Sequence, residues 1–216
     1  APPARPALAA APLPDVYAYA PAVRPSDALH VCGPGGGSNL GAVGPAGESL
    51  SWRPFIETRA GPLLRNPTEG ACLSSGFGWR GSAIGGGRQH GGIDLASAQG
   101  GFIYAAGAGQ VLHAGPRGAY GLTVELDHGS DVRTLYGHLA EINPLVTPGA
   151  FTPAGAAIGM MGRTGNATGV HLHYEVSIGG LRVDPLTFNG ASGPESADSL
   201  LLSSAAPAHG GGAGGR

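Results

Sequence analysis

The sequence predicts a β-dominated fold with an antiparallel β-sheet core and few short helices. The first observation is a series of short segments whose apolar and polar residues alternate with the period of two that is typical of strands. The second is the abundance of glycine and proline, 41 and 19 of the 216 residues, which separate these segments and interrupt helices. The third is the weakness of any 3.6-residue period, which argues against long amphipathic helices.

The predicted strands follow one another through the middle of the chain. They cover residues 101–106 (GFIYAA), 109–114 (GQVLHA), 122–127 (LTVELD), 132–138 (VRTLYGH), 157–161 (AIGMM) and 170–178 (VHLHYEVSI). A further short strand is predicted at 93–96, after a glycine turn. The best helix candidate is one or two turns at 139–143.

Composition divides the chain into three parts. Residues 1–48 are rich in Ala, Pro and Gly, which predicts a flexible N-terminal segment. Residues 49–188 carry the strand pattern and predict one domain of ordinary size, with its motifs between 72 and 188. Residues 189–216 lose that pattern and end in a glycine-rich run, which predicts a flexible C-terminal tail.

Charge and hydropathy argue against two classes of partner. The formal net charge is −2, from 12 basic and 14 acidic residues. The basic residues are not clustered, so we expect no nucleic-acid partner. No run of about 18 apolar residues occurs, so we expect no membrane span. We also expect a monomer.

The two cysteines, Cys32 and Cys72, lack the spacing of a metal site. In an oxidising compartment we expect them to form an intramolecular disulfide, and the alternative is a pair of buried free thiols. A bond between them would close a loop of about 40 residues and contribute about 4 kcal/mol in the chain-entropy model.

The last predicted strand carries two histidines, His171 and His173, separated by one residue. Because side chains at positions i and i+2 leave a strand on the same face, both imidazoles are expected to point one way while Leu172 packs into the core. Such a pair suits zinc, and the alternative is two surface histidines on an open sheet face. Glu175 shares that face, either as a partner of a metal-site histidine or as a solvated carboxylate.

A second candidate group is the segment HGGID, in which His90 and Asp94 are four residues apart. Gly91 and Gly92 argue against a helix, so a turn that delivers Asp94 onto a strand is the better interpretation. Imidazole and carboxylate together suit zinc, and the alternative is an ordinary glycine-rich loop. His138, in the segment LYGHL, is either a further member of the site or a surface histidine at a strand end.

Taken in order, these segments resemble one family, the lysostaphin-type (LytM-type) zinc metallopeptidases of bacteria. The resemblance rests on SSGFGWR at 74–80, HGGIDLA at 90–96, LYGHL at 135–139, GRTGNATGVHLHYEV at 162–176 and VDPL at 183–186. Together these blocks span about residues 72–188, more than half of the chain. The resemblance implies an open groove on the sheet that carries the zinc site.

The resemblance also implies a role for each residue. His90, Asp94 and His173 match the three ligands of one Zn2+ per chain, and His171 and His138 match the two active-site histidines that do not bind the metal. Three protein ligands leave zinc an open position, as catalytic sites require. One of the two free histidines would act as general base and the other would stabilise the oxyanion, in an order that the sequence leaves open.

The implied function is hydrolysis of peptide cross-links or stem peptides of bacterial peptidoglycan through a zinc-activated water. The alternative is a non-catalytic peptidoglycan-binding regulator of other cell-wall hydrolases, against which the complete set of five residues weighs. The wall substrate and the two cysteines imply an exported protein, periplasmic or extracellular and associated with the cell wall. Some family members are latent because an upstream asparagine fills the open zinc position, and Asn39 and Asn66 are the candidates here.

Overall fold

The computed structural model describes residues 17, 20, 22–25, 28–33, 53–80 and 87–188. Within these residues there is no α-helix, and residues Gly118–Tyr120 form a 3-10 turn. The predicted all-β class is confirmed. The strands are β1 (Phe55–Thr58), β2 (Gly61–Leu64), β3 (Cys72–Ser75), β4 (Gly78–Arg80), β5 (Arg88–His90), β6 (Ile93–Ala96), β7 (Phe102–Tyr104), β8 (Gly109–Pro116), β9 (Leu122–Gly129), β10 (Val132–Ile142), β11 (Phe151–Thr152), β12 (Ala157–Met161), β13 (His171–Ile178) and β14 (Leu181–Val183).

One large sheet forms the centre of the molecule. Its main order is β11-β8-β9-β10-β13-β6-β3, with β12 paired to β10 and β7, and β14 paired to β13. Two separate pairs, β1-β2 and β4-β5, complete the architecture. The pairings between these strands are antiparallel, as the sequence predicts.

Strand β13 lies in the middle of this sheet and determines where the histidines point. Leu172 and Tyr174 are 0% exposed and belong to the hydrophobic core, while His171 and His173 leave the opposite face. The register pairs His173 with Asp94 of β6 on one side and with Gly137 of β10 on the other. Neighbouring strands therefore bring three of the sequence motifs to one place.

The helix predicted at 139–143 is wrong, because these residues continue strand β10 as far as Ile142. Leu139 pairs with Met161 of β12 and is 0% exposed. Its side chain therefore packs in the core as part of a strand rather than of a helix. The pairing of β10 with β9 shifts register between Tyr136 and Leu139. His138 stands at this irregularity with a φ of 64°, a conformation that is uncommon for residues other than glycine.

A short N-terminal stretch packs against the edge strand β3. Cys32 and Cys72 form the expected disulfide, and the amide of Cys32 donates to the carbonyl of Leu73. Leu29 is 2% exposed and contributes to the core. These contacts fall inside the segment 1–48 that composition predicts to be flexible, most of which lies outside the described residues, as do all of residues 189–216. Within the described part of the chain, no helix is long and apolar enough to cross a bilayer.

Candidate metal centre

Three buried side chains meet above the middle of the sheet. His90 ends β5, Asp94 is the second residue of β6, and His173 is the third residue of β13. His90 Nε2 lies 3.1 Å from Asp94 Oδ1 and 3.1 Å from His173 Nδ1, and the last two atoms are 2.9 Å apart. The three residues are 5%, 9% and 6% exposed. Of the His, Cys, Asp and Glu residues described, this trio forms a cluster that could hold a metal ion.

The size of this triangle fits a tetrahedral zinc ion. Zinc bonds of about 2.0–2.1 Å in tetrahedral geometry place neighbouring ligand atoms about 3.3 Å apart. The three atoms, separated by 2.9–3.1 Å, need to move apart by only about 0.2–0.4 Å to match. Two imidazole nitrogens and one carboxylate oxygen are also ligands that zinc accepts.

Hydrogen bonds behind the cluster orient both imidazoles for metal binding. His90 Nδ1 lies 2.6 Å from the carbonyl oxygen of Gly76, and His173 Nε2 lies 2.9 Å from Glu175 Oε1. Because these oxygens can only accept, the ring hydrogens belong on Nδ1 of His90 and Nε2 of His173. The remaining nitrogens, Nε2 of His90 and Nδ1 of His173, face each other and the carboxylate, an arrangement that a bound metal cation would stabilise.

The electrostatics of the cluster also favour positive charge at its centre. Burial opposes ionisation of Asp94, but hydrogen bonds and charges from His173 and His90 outweigh it and hold the pKa far below its usual value. Burial opposes protonation of His173, yet contacts with Asp94 and Glu175 raise its pKa. Burial likewise opposes ionisation of Glu175, and contacts with His173 and Arg182 lower its pKa. A divalent cation would supply the positive charge that these carboxylates attract.

The two remaining candidate histidines stand beside the cluster. The ring centroids of His138 and His171 are 4.7 Å apart, and those of His138 and His173 are 6.0 Å apart. His171 Nε2 lies 3.8 Å from Asp94 Oδ1. The Nδ1 atoms of both rings donate to main-chain carbonyls, that of His138 to Thr164 and that of His171 to Gly169. The five residues named by the sequence therefore come together.

The two glycines of HGGID are explained by close packing against β13 and β14. A Cβ at Gly92 would collide with the main-chain carbonyl of Tyr174. A Cβ at Gly91 would lie 2.6 Å from Arg182 Cδ and 2.9 Å from Glu175 Oε1, closer than non-bonded atoms approach. At Gly92 the obstacle is main chain, so only glycine fits there, whereas at Gly91 the side chains of Arg182 and Glu175 would have to shift.

Sequence reasoning left the surroundings of Glu175 open and missed the contacts of one arginine. Glu175 is 5% exposed and is not a solvated carboxylate. Its Oε1 also accepts from the Tyr120 hydroxyl at 2.9 Å, and its Oε2 accepts from Arg182 Nε at 2.7 Å.

The arginine whose contacts were missed is Arg80, whose Nη2 lies 2.6 Å from Asp94 Oδ2. Arg80 stands in the motif SSGFGWR, but nothing in that string indicates which carboxylate it meets.

His128 and Asn66 have partners of their own away from the cluster. His128 donates to the carbonyl of Ala108 and contacts the Thr134 hydroxyl at 2.8 Å. Asn66 is 7% exposed, and its Oδ1 accepts from the amide of Thr68, so it is engaged in a local turn. Asn39 lies outside the described residues.

Known proteins resemble this chain in both sequence and fold. Residues 88–185 match peptidase family M23. The DD-carboxypeptidase/endopeptidase Mpg of Neisseria meningitidis is 40% identical over 106 residues, which are 46% of this chain and 23% of Mpg. The peptidoglycan DD-endopeptidase ShyA of Vibrio cholerae is 37% identical over 100 residues, again 46% of this chain and 23% of the relative.

A solved structure agrees with these relatives. The crystal structure of a zinc-containing peptidase from Vibrio cholerae superposes with a TM-score of 0.52 and 33% identity, covering 65% of this chain and 41% of that one. The chain spans less than a quarter of the length of the two curated relatives. The family match at residues 88–185 contains all five candidate site residues. The chain belongs to peptidase family M23, in agreement with its resemblance to the lysostaphin-type metallopeptidases.

Proposed function

We propose that this protein is a zinc-dependent endopeptidase that hydrolyses peptide cross-links or stem peptides of bacterial peptidoglycan through a zinc-activated water. The observation that carries the proposal is the convergence of three ligand atoms within 4.8 Å of one another, with two further histidines beside them. The names of the related proteins, a DD-carboxypeptidase/endopeptidase and a peptidoglycan DD-endopeptidase, support the same bond type and substrate.

In this proposal, His90 Nε2, Asp94 Oδ1 and His173 Nδ1 hold the metal. When bound there, zinc supplies Lewis-acid chemistry, which polarises a peptide carbonyl and acidifies water. The protein's part is to orient each imidazole so that its unprotonated nitrogen faces the metal. Gly76 and Glu175 do this by accepting the hydrogens of the nitrogens that face away from the metal.

His171 and His138 are the proposed catalytic residues for proton transfer. Because Nδ1 of each ring donates to a carbonyl, Nε2 of each neutral ring is free to accept a proton as a general base. The same carbonyls remain good acceptors when the ring becomes an imidazolium, which can then donate to an oxyanion or to the leaving amine. His171 is the better candidate for the base, since its Nε2 lies 3.8 Å from Asp94 Oδ1.

The loop at 162–169 orients both of these histidines. The carbonyl of Thr164 accepts from His138, and the carbonyl of Gly169 accepts from His171. Thr164 is itself fixed, because its hydroxyl donates to the carbonyl of Leu139 at 2.7 Å. A glycine-rich loop suits this task because its main chain can approach a substrate peptide closely while it holds the catalytic rings.

Export to the periplasm or the cell surface is part of the proposal. The Cys32–Cys72 disulfide supports it, because such bonds persist in oxidising compartments and are rare in the cytosol. The wall substrate requires the same location.

The test is digestion of purified peptidoglycan, with the released fragments identified by mass spectrometry. We expect cleavage that disappears on addition of a chelator and in a His173→Ala variant, which lacks one ligand. His138→Ala and His171→Ala should retain zinc and lose most of the activity. A protein that binds zinc stoichiometrically and cleaves neither Gram-negative nor Gram-positive peptidoglycan would refute the endopeptidase, in favour of the non-catalytic regulator.

A further inference from the structure

The Arg80 guanidinium lies against one of the three proposed metal ligands. Its Nη2 atom is 2.6 Å from Asp94 Oδ2 and 2.6 Å from the hydroxyl of Ser75. The other carboxylate oxygen, Oδ1, faces His90 Nε2 at 3.1 Å and His173 Nδ1 at 2.9 Å. The two oxygens of Asp94 therefore have separate partners, an arginine for one and the metal-binding nitrogens for the other.

Two strand pairs position the residues of this contact, β4-β5 for Arg80 and β3-β6 for Ser75 and Asp94. Gly78 pairs with His90 in the β4-β5 hairpin, so the hairpin that ends at His90 also carries Arg80 over the cluster. Ser75 pairs with Asp94 in the β3-β6 ladder and offers its hydroxyl to the same guanidinium nitrogen. The side chains of Arg80 and Asp94 are 25% and 12% exposed, so solvent screens this ion pair less than one on the surface.

We infer that Arg80 is a positioning residue for the zinc site, which holds Asp94 Oδ2 so that the carboxylate offers the metal only Oδ1. A carboxylate can bind a metal through one oxygen or through both, and binding through both takes up a position that a catalytic site keeps open. The hydrogen bond to Oδ2 also fixes the plane of the carboxylate, which keeps Oδ1 directed at the two imidazole nitrogens. The inference rests on the proposed zinc-dependent function.

The experiment measures metal binding rather than catalysis. Zinc affinity is obtained by competition with a chromogenic chelator for the unsubstituted protein and for Arg80→Gln, Arg80→Lys and Arg88→Gln. Arg88 is the matched control, because it faces Arg80 across the β4-β5 ladder and carries the same charge. Co2+ is then substituted for zinc, since its visible absorption is strong when it has four ligands and weaker when it has five.

We expect Arg80→Gln to weaken zinc binding about 10- to 100-fold, the usual cost of losing a group that orients a metal ligand. The Co2+ absorption of this variant should weaken as the freed Oδ2 enters the coordination sphere. Arg80→Lys should recover part of the affinity, because it keeps the charge but not the planar donor group. Arg88→Gln should match the unsubstituted protein in both measurements.

Equal or tighter zinc binding by Arg80→Gln, with an unchanged Co2+ spectrum, would overturn the inference. So would an equal loss in Arg88→Gln, since that would trace the effect to net charge alone. Circular dichroism and thermal unfolding of the metal-free proteins identify a variant that fails to fold, and Ser75→Ala then provides a milder substitution with a smaller expected loss of affinity. If the unsubstituted protein bound no zinc, the proposed function itself would fail before any variant was compared.

Discussion

Glu175 should control how well His173 binds zinc, and the structure predicts what a single-atom change there will do. Its Oε1 accepts from His173 Nε2 and from the Tyr120 hydroxyl, and its Oε2 accepts from Arg182 Nε, at distances of 2.7–2.9 Å. Glutamine has almost the same shape but replaces one oxygen with an NH2 group, which can only donate. Glu175→Gln therefore faces two arrangements, and each loses a contact.

In the first arrangement, the amide oxygen still accepts from His173 Nε2. The NH2 group then faces Arg182 Nε, and because both groups are donors the hydrogen bond between them is lost. In the second, the NH2 group faces His173 and favours the tautomer with hydrogen on Nδ1, the nitrogen that the metal needs. Loss of a hydrogen bond to a charged group is worth about 1.5–3 kcal/mol. Zinc binding should therefore weaken about 10- to 100-fold, which corresponds to about 1.4–2.7 kcal/mol.

The assay is chelator competition on Glu175→Gln and on Glu125→Gln as a matched control. Glu125 also accepts from an arginine, Arg117 Nη1 at 2.6 Å, and among the described residues no hydrogen bond or ion pair joins it to His90, Asp94 or His173. Glu125→Gln should keep the zinc affinity of the unsubstituted protein. Equal affinities for the two variants, with both folded, would refute the role that we assign to Glu175 in selecting the tautomer of His173.

Three further predictions concern stability. Gly92→Ala should destabilise the fold by about 1–3 kcal/mol through overpacking, whereas Gly169→Ala, where a Cβ meets no atom within 4 Å, should have a much smaller effect in urea unfolding. Reducing the Cys32–Cys72 disulfide, which closes a 40-residue separation, should lower the free energy of unfolding by up to about 4 kcal/mol, and unchanged stability in reductant would contradict this. Burial lowers the pKa of His128 below its ordinary 6.5, so the folded state binds the proton less tightly than the unfolded chain. The free energy of unfolding is therefore highest above pH 6.5 and decreases as the pH falls through the lower folded pKa. His128→Gln should flatten that part of the measured pH dependence.

The strand pattern was readable from the sequence because it depends on local periodicity. Ala157–Met161 matches the predicted strand at both ends, and His171–Ile178 begins one residue later than predicted. The helix predicted at residues 139–143 was wrong for a physical reason. A short segment with weak periodicity has no strong local preference, and the pairing of Leu139 with Met161 extended the strand instead.

The sequence alone determined the all-β class, the single pairing open to a disulfide and the residue types of the candidate site. It could do so because alternation puts His171 and His173 on one face of a strand, and because the order of the motifs is specific. Only the tertiary structure decided that Arg80 meets Asp94, that Glu175 accepts a hydrogen bond from His173, and why Gly92 must be glycine. These contacts join segments that are distant in the chain, and their geometry depends on how the β4-β5 hairpin and β13 pack around the cluster, which no local pattern encodes.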